Sequence, residues 1–265
     1  MDVLVLKAGD IIALNFNLKF VALSFFVSVV GSLVSLDFAA HIRKPGGGLN
    51  LWATVTSGTA LGGVGIWAMH FIGMTAHEMP FRSSYSVTPT LLSLAVAILA
   101  SIAALALVFS SNASNAAPVS RIVCGGLFAG LGVAGMHYIG MYAWQTQAYI
   151  VWDKPLVALS VAVAVIAASA ALWLAFSLKS GFTKFGAALL MATAVCSMHY
   201  IGMYAGTIIC SATSSALTSS LFQGRWLPYS VSIIAVVLLL VTTVVTMLLS
   251  QEDDATKSPK NGTVS

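Results

Sequence analysis

Long apolar stretches dominate this sequence and constrain its fold more than any other feature. The first covers residues 20–36 without a charged side chain, and six further stretches follow before residue 250. About 20 apolar residues cross the ~30 Å hydrocarbon core of a bilayer as a helix, because each residue adds about 1.5 Å. Only 8% of the 265 residues are charged, against about a quarter in soluble domains. The sequence therefore predicts a multi-pass membrane protein.

Turn-forming and charged residues divide the chain into seven predicted spans, so the predicted fold class is all-α and polytopic. The spans cover residues 20–36, 51–74, 89–109, 122–144, 155–178, 185–210 and 228–250. Residues 1–19 are predicted to form an outer N-terminal segment. The polar residues 251–265 are predicted to form a disordered cytoplasmic tail, because they cannot bury enough apolar surface to fold.

Lysine and arginine residues near the ends of the spans predict the orientation of the chain. With the N-terminus outside, the inner segments hold Arg43, Lys44, Arg121, Lys179, Lys184, Lys257 and Lys260, and the outer segments hold Lys7, Lys19, Arg82, Lys154 and Arg225. The positive-inside rule favours this orientation. The basic residues are scattered over the span ends, so the net charge of +4 does not indicate a nucleic-acid partner.

A six-residue block occurs three times, each time in the second half of an apolar stretch. It reads MHFIGM at residues 69–74 and MHYIGM at residues 136–141 and 198–203. Ionisable residues inside a membrane are costly and mark functional sites. The blocks predict three parallel two-helix repeats around an axis along the membrane normal, plus a seventh helix. The repeats cover residues 20–80, 89–150 and 155–210, and the histidines should meet near the outer face.

The spacing within a block determines which side chains share a helix face. A histidine and the methionine four residues later lie on one face, whereas the preceding methionine points about 100° away. The candidate metal ligands are His70, His137 and His199 with Met74, Met141 and Met203. A kink at the block glycine would turn the second methionine away, and Met69, Met136 and Met198 would then be the sulfur ligands instead. Imidazole with thioether is a copper-type ligand set, and haem is an alternative because both side chains serve as axial ligands.

Each of these residue types also has a purely structural interpretation. A membrane histidine can simply hydrogen-bond a neighbouring helix, methionine fills gaps in cores, and Cys196 suits a small buried apolar position. The block glycines suit close packing of helices. Tyr138 and Tyr200 suit anchoring at the membrane interface. The threefold recurrence favours a shared site over three unrelated structural histidines.

The blocks resemble the motif of the bacterial MHYT-domain sensors, integral membrane proteins named after Met-His-Tyr-Thr. The resemblance covers about residues 15–250, although isoleucine stands at the Thr position of all three blocks and Phe71 replaces the first tyrosine. It implies copper at the blocks, recognition of a diatomic gas such as O2, CO or NO, and a place in the bacterial cytoplasmic membrane. Tyr138 and Tyr200 are then the candidate residues for a hydrogen bond to the metal-bound gas. Family members are often fused to a cytoplasmic signalling domain. None follows here, so we expect a separate cytoplasmic signalling partner.

The leading functional hypothesis is a sensory module in the lipid bilayer, without enzymatic activity, that responds to a gas or to redox state. A copper-transporting or copper-handling protein is the first alternative. It needs ligands along a path, and the inner half offers few, Asp37 and His41, with no second layer of methionine or cysteine. A membrane-bound oxidoreductase subunit is the second alternative. It needs an electron path, and the sequence contains no second cofactor motif.

Overall fold

The computed structural model describes residues 7–44, 47–80, 83–110, 119–177, 181–211 and 226–257. Within these ranges the α-helices are α1 (Leu18–Ala39), α2 (Leu51–Thr59), α3 (Met69–Ala76), α4 (Val87–Phe109), α5 (Val119–Ala143), α6 (Lys154–Ser177), α7 (Gly181–Tyr204) and α8 (Leu227–Lys257). A π-helical segment, Ala60–Ala68, joins α2 to α3, so residues 51–76 form one continuous span. The first five helical spans begin and end close to their predicted positions.

Among the described residues, six helical segments are long and apolar enough to cross a membrane: Leu18–Ala39, Leu51–Ala76, Val87–Phe109, Val119–Ala143, Lys154–Leu174 and Thr183–Tyr204. Large apolar side chains cover their outer faces; Phe26 is 63% exposed and Ile166 is 70% exposed. Such a surface suits lipid rather than water, so the chain is an all-α multi-pass membrane protein. The seventh predicted span falls on α8, whose described apolar part, Tyr229–Val244, is shorter. The count of seven stays a prediction.

The second span lies at the centre of the bundle. Helices α4, α5, α6 and α7 pack against one another in sequence, α1 packs on α7 and on the π segment, and α8 covers the π segment and α3. As a result, 83% of the most apolar 18-residue window of the second span is buried, against 22% to 44% of the same window in the other five. Glycines permit this packing, because a Cβ on Gly31 of α1 would overlap the backbone of Gly65 in the π segment.

Short strands cap the end of the bundle at which the three blocks lie. Strands β1 (Ile11–Ile12), β5 (Gly206–Cys210) and β4 (Ala148–Trp152) form an antiparallel sheet in that order, and β2 (Ser84–Tyr85) pairs with β3 (Trp144–Gln145). The prediction of a sixth helical span to residue 210 is therefore wrong, since α7 ends at Tyr204. The β-branched residues of β5 favour an extended chain, and β4 supplies a partner strand.

The C-terminal tail also differs from the prediction. Helix α8 continues to Lys257, so residues 251–257 are helical rather than disordered. Glutamine, glutamate, alanine and lysine are good helix formers, and no glycine or proline occurs between residues 251 and 257 to end the helix. Residues 258–265 lie outside the described part of the chain.

Candidate metal centre

The three block histidines meet inside the bundle, next to the strand cap. His70 comes from α3, His137 from α5 and His199 from α7, and none is more than 1% exposed. The Nδ1 atoms of His70 and His199 are 3.0 Å apart, those of His70 and His137 are 3.2 Å apart, and those of His137 and His199 are 3.3 Å apart. The predicted convergence of the histidines is confirmed.

This triangle of Nδ1 atoms cannot satisfy itself with hydrogen bonds. A neutral imidazole has one nitrogen that donates and one that accepts. Among three mutually facing nitrogens, at least two must present the same kind of group, so one contact is always a mismatch of two lone pairs or two N–H groups. A cation at the centre removes the mismatch, because all three lone pairs can point towards it.

The spacing of the Nδ1 atoms also suits a metal ion. With nitrogen–metal bonds of about 2.0–2.1 Å, two ligands of a tetrahedral ion are ~3.3–3.4 Å apart. The observed separations of 3.0 to 3.3 Å lie at or just below the lower end of that range. Among the described residues, these histidines are the one group of three or more histidine, cysteine, aspartate or glutamate side chains arranged to hold an ion. The donor set therefore fits a metal bound by three imidazoles.

Each histidine ring is held in place by the glycine of another block. A Cβ on Gly73 would lie 2.6 Å from Nε2 of His199, and Cβ atoms on Gly140 and Gly202 would overlap Nε2 of His70 and His137, respectively. The Nε2 atoms are buried and have no hydrogen-bond partner among the described residues. Metal-binding histidines usually donate their second N–H to an acceptor. Here the fit of the ring against glycine fixes its orientation instead.

The block methionines are all buried, with none more than 4% exposed. The helix is unbroken from each histidine to the second methionine of its block. The backbone therefore has no break that would turn the first methionine, instead of the second, towards the histidine face. Sulfur ligation by Met74, Met141 and Met203 stays a prediction. Cys196 is buried in α7 as a free thiol and does not belong to the histidine group.

The charged side chains of the described residues lie away from this centre. The buried polar side chains of the described chain are serine, threonine and histidine, so no described carboxylate is buried beside the imidazoles. Asp37, at the opposite end of the bundle, is 70% exposed and pairs with Lys184 at 3.0 Å. His41 contacts the backbone oxygen of Asp37. Both residues therefore lie away from the histidine layer.

Two segments of the chain, residues 63–120 and 130–188, match the MHYT family model, described as a bacterial signalling protein N-terminal repeat. The chain belongs to the MHYT-domain family. The first two blocks lie within the matched segments and the third lies beyond them. The resemblance on which the sequence interpretation depended is thereby confirmed, and so is the assignment to a family of membrane signalling proteins.

Several MHYT relatives are signalling proteins. The bifunctional diguanylate cyclase/cyclic di-GMP phosphodiesterase MucR of Pseudomonas aeruginosa is 37% identical over 227 residues, which are 84% of this chain and 32% of that relative. The cyclic di-GMP phosphodiesterase NbdA of the same organism is 32% identical over 197 residues (72% and 24%). The signaling protein YkoW of Bacillus subtilis is 27% identical over 204 residues (74% and 25%). The chain spans a quarter to a third of the length of these relatives. No solved structure matches it.

The tyrosines at the MHYT tyrosine position hydrogen-bond neighbouring helices. The hydroxyl of Tyr138 contacts Ser160 of α6 at 2.7 Å, and that of Tyr200 contacts Ser24 of α1 at 3.1 Å. In the first block Phe71 has no hydroxyl, and Trp67 donates instead to Ser93 of α4 at 3.1 Å. The role of Tyr138 and Tyr200 at a bound gas stays a prediction.

The three serines that receive these bonds were missed by sequence reasoning, although the sequence contains a signal for them. Ser24, Ser93 and Ser160 are each the seventh residue of their helix. Each hydroxyl donates to the carbonyl three residues earlier, which leaves the oxygen free to accept from the neighbouring span. Their separations of 69 and 67 residues are similar to the 67 and 62 residues between the histidines, so a serine recurring near the start of the first helix of each repeat was the available signal.

A further buried histidine, His77, closes the strand end of the site. It is 6% exposed, and its ring lies between Phe16 and Trp144, with centroid distances of 5.7 and 6.1 Å. Phe16 also packs edge-to-face on Tyr200 at 5.4 Å. Burial lowers the pKa of His77. This aromatic cluster adjoins the histidine layer through Tyr200, whose ring centroid lies 4.7 Å from that of His199.

Proposed function

We propose that this MHYT protein is a sensory module of the bacterial cytoplasmic membrane that binds copper through His70, His137 and His199. The observation that carries the proposal is the buried triangle of Nδ1 atoms, which no distribution of protons satisfies and which has the spacing of metal ligands. We further propose that the chain crosses the membrane seven times as three repeats plus α8, with the N-terminus outside and the C-terminus in the cytoplasm.

The charge of the site supports copper over zinc. No described carboxylate is buried near the imidazoles, so the charge of a bound ion is not neutralised locally. The cost of burying a charge grows with its square, and a divalent ion costs about four times as much as a monovalent one. Cu(I) is monovalent and soft, and it suits both imidazole and the thioethers proposed for Met74, Met141 and Met203.

A bound copper ion would supply a centre that coordinates O2, CO or NO, or that changes its redox state. The chain's own contribution is to hold the three imidazoles on three different spans, so that a displacement of any ring moves α3, α5 or α7. The bonds of Tyr138, Tyr200 and Trp67 to serines of α6, α1 and α4 would extend such a shift to the remaining spans. A separate cytoplasmic signalling protein or domain would receive the signal.

A single fixed centre favours sensing over transport. The described chain contains one candidate cluster of metal ligands, whereas a copper conduit needs successive clusters along a path. The relatives MucR and NbdA are named as enzymes of cyclic di-GMP metabolism, so a partner in that signalling system is our proposal for the output. The membrane part itself is proposed to have no enzymatic activity.

The sensory function is tested by spectroscopy of the copper-loaded protein in nanodiscs. We expect the infrared spectrum of the reduced protein under CO to show a copper–carbonyl stretch. We also expect an EPR signal of Cu(II) to appear when the protein is oxidised. The band should vanish in His137→Ala and persist in His41→Ala, a matched exposed histidine at the opposite end. Copper that is bound but insensitive to CO, NO, O2 and redox state would contradict the sensory role.

A further inference from the structure

A cavity of about 50 Å³ lies next to the histidine layer, on its side away from the strands. Ile66, Val133 and Val195 line it, and each is four residues before a block histidine. One turn of helix therefore separates the cavity from the candidate metal centre. Met198, the neighbour of His199, also lines it, so the block itself forms part of the cavity wall.

Small side chains leave this space open. Four alanines of α6, at positions 164, 167, 168 and 171, lie along the cavity. On the turn beyond Val133 and Val195 the lining residues are Ala129 and Met191, eight residues before their histidines. In the second span the corresponding residue is Leu61, nine residues before His70. The spacing is one residue longer in the second span because its π-helical turn is wider and contains an additional residue. Such π-helical segments often occur at functional sites.

The lining excludes water and favours an apolar occupant. Almost all of the cavity wall is apolar, and its hydroxyls belong to Ser35 and Ser101. The hydroxyl of Ser35 is already bonded to that of Ser57 at 3.0 Å. A buried water needs two to four polar partners, and empty apolar cavities stay dry. A cavity of ~150 Å³ accepts benzene, so one of about 50 Å³ suits a molecule of a few atoms.

We propose that this cavity binds a small uncharged molecule of diatomic size, which enters from the bilayer and is held within one helical turn of the histidines. Apolar gases partition favourably from water into hydrocarbon, so the membrane supplies the occupant. Binding in the cavity depends on its size and lining alone. The role of the occupant as the gas that reaches the metal rests on the proposed function.

Xenon is the probe for the cavity, because it is small, apolar and inert. We expect 129Xe NMR of the metal-free protein in nanodiscs to show saturable binding above empty nanodiscs. Ala164→Leu and Ala168→Leu, which fill the space, should abolish it. Ala162→Leu is the matched control, since Ala162 is exposed on the same helix and its variant should bind xenon like the parent. Ala168→Val adds less volume and should weaken binding in the same direction if a leucine variant does not fold.

Absence of saturable xenon binding in the parent protein, or equal binding in Ala168→Leu and Ala162→Leu, would overturn the proposal. A second arm measures CO recombination after flash photolysis of the copper-loaded protein. We expect Ala168→Leu to slow recombination several-fold relative to Ala162→Leu, and an unchanged rate would remove the cavity from the gas path. Xenon binding without any copper–CO complex would refute the proposed function and leave the cavity site standing. A copper–CO complex without xenon binding would refute the cavity site and leave the proposed function standing.

Discussion

The histidine layer and the cavity one turn below it are built on the same three spans but are filled in opposite ways. In the histidine layer, imidazoles from α3, α5 and α7 touch one another, and glycines give the rings room. In the cavity layer, Ile66, Val133 and Val195 stand at the equivalent positions, and alanines of α6 leave a void. Side-chain size on a shared backbone pattern therefore decides whether a layer forms a tight polar centre or an apolar chamber.

Removal of one imidazole should have the largest effect and should be confined to the histidine layer. We expect His137→Ala to lower Cu(I) affinity by more than about 100-fold, since loss of outer-shell partners alone costs 10–100-fold. Competition with a chromogenic Cu(I) chelator measures the affinity. The control variant His41→Ala should bind copper like the parent. The His137→Ala variant should still bind xenon in the cavity. Equal copper affinity in the two variants would break the comparison.

A methyl group added beside an imidazole should produce the next largest effect. Gly140→Ala places a Cβ against Nε2 of His70, and the resulting overpacking costs about 1–3 kcal/mol. We expect a lower melting temperature and a weaker copper affinity. Gly135→Ala on the same helix is the control, because its Cβ would be 3.9 Å from Val96, an ordinary contact. If both variants behave alike, glycine does not position the rings.

Loss of a tyrosine hydroxyl should have a smaller effect on stability and little effect on metal binding. Tyr138→Phe removes the 2.7 Å contact with Ser160, and one such bond contributes about 0.5–1.5 kcal/mol. Thermal unfolding measures the loss. The control is Tyr142→Phe, at a side chain that is 83% exposed. A large loss of copper from Tyr138→Phe alone would indicate that this hydroxyl acts at the metal rather than between helices.

The smallest expected effect concerns His77, which lies outside both layers. Its pKa is lowered by burial, so the unfolded chain binds a proton at this histidine before the folded protein does. The free energy of unfolding should therefore fall as the pH drops below about 6.5, the ordinary histidine pKa. His77→Phe should reduce that pH dependence and leave xenon and copper binding unchanged at neutral pH. An identical pH slope in both proteins would show that His77 does not contribute.

The spans and the meeting of the histidines could be predicted because they depend on strong local signals. An apolar run of suitable length defines a membrane helix, and a histidine recurring at one place in successive helix pairs defines a common layer. The resemblance to MHYT proteins came from the same three blocks. These signals do not require knowledge of which side chains face each other across helices.

The remaining features depend on contacts between distant parts of the chain. Strand β5 exists because β4 pairs with it, about 60 residues earlier in the sequence, and an apolar run such as Gly206–Cys210 suits a helix equally well on periodicity alone. The contact of Gly140 with His70 joins two different spans, as does the bond of Trp67 to Ser93. The cavity results from the joint packing of alanines on several helices, so no single stretch of sequence indicates it.

The central claim is that His70, His137 and His199 together hold one copper ion. It is tested most directly by the metal content of the purified protein, measured by mass spectrometry after reconstitution with Cu(I) and removal of free metal. We expect about one copper ion per chain in the parent, no zinc in its place, and loss of copper from the triple His→Ala variant, with helix content unchanged by circular dichroism. Retention of stoichiometric copper in a folded triple variant would contradict the account.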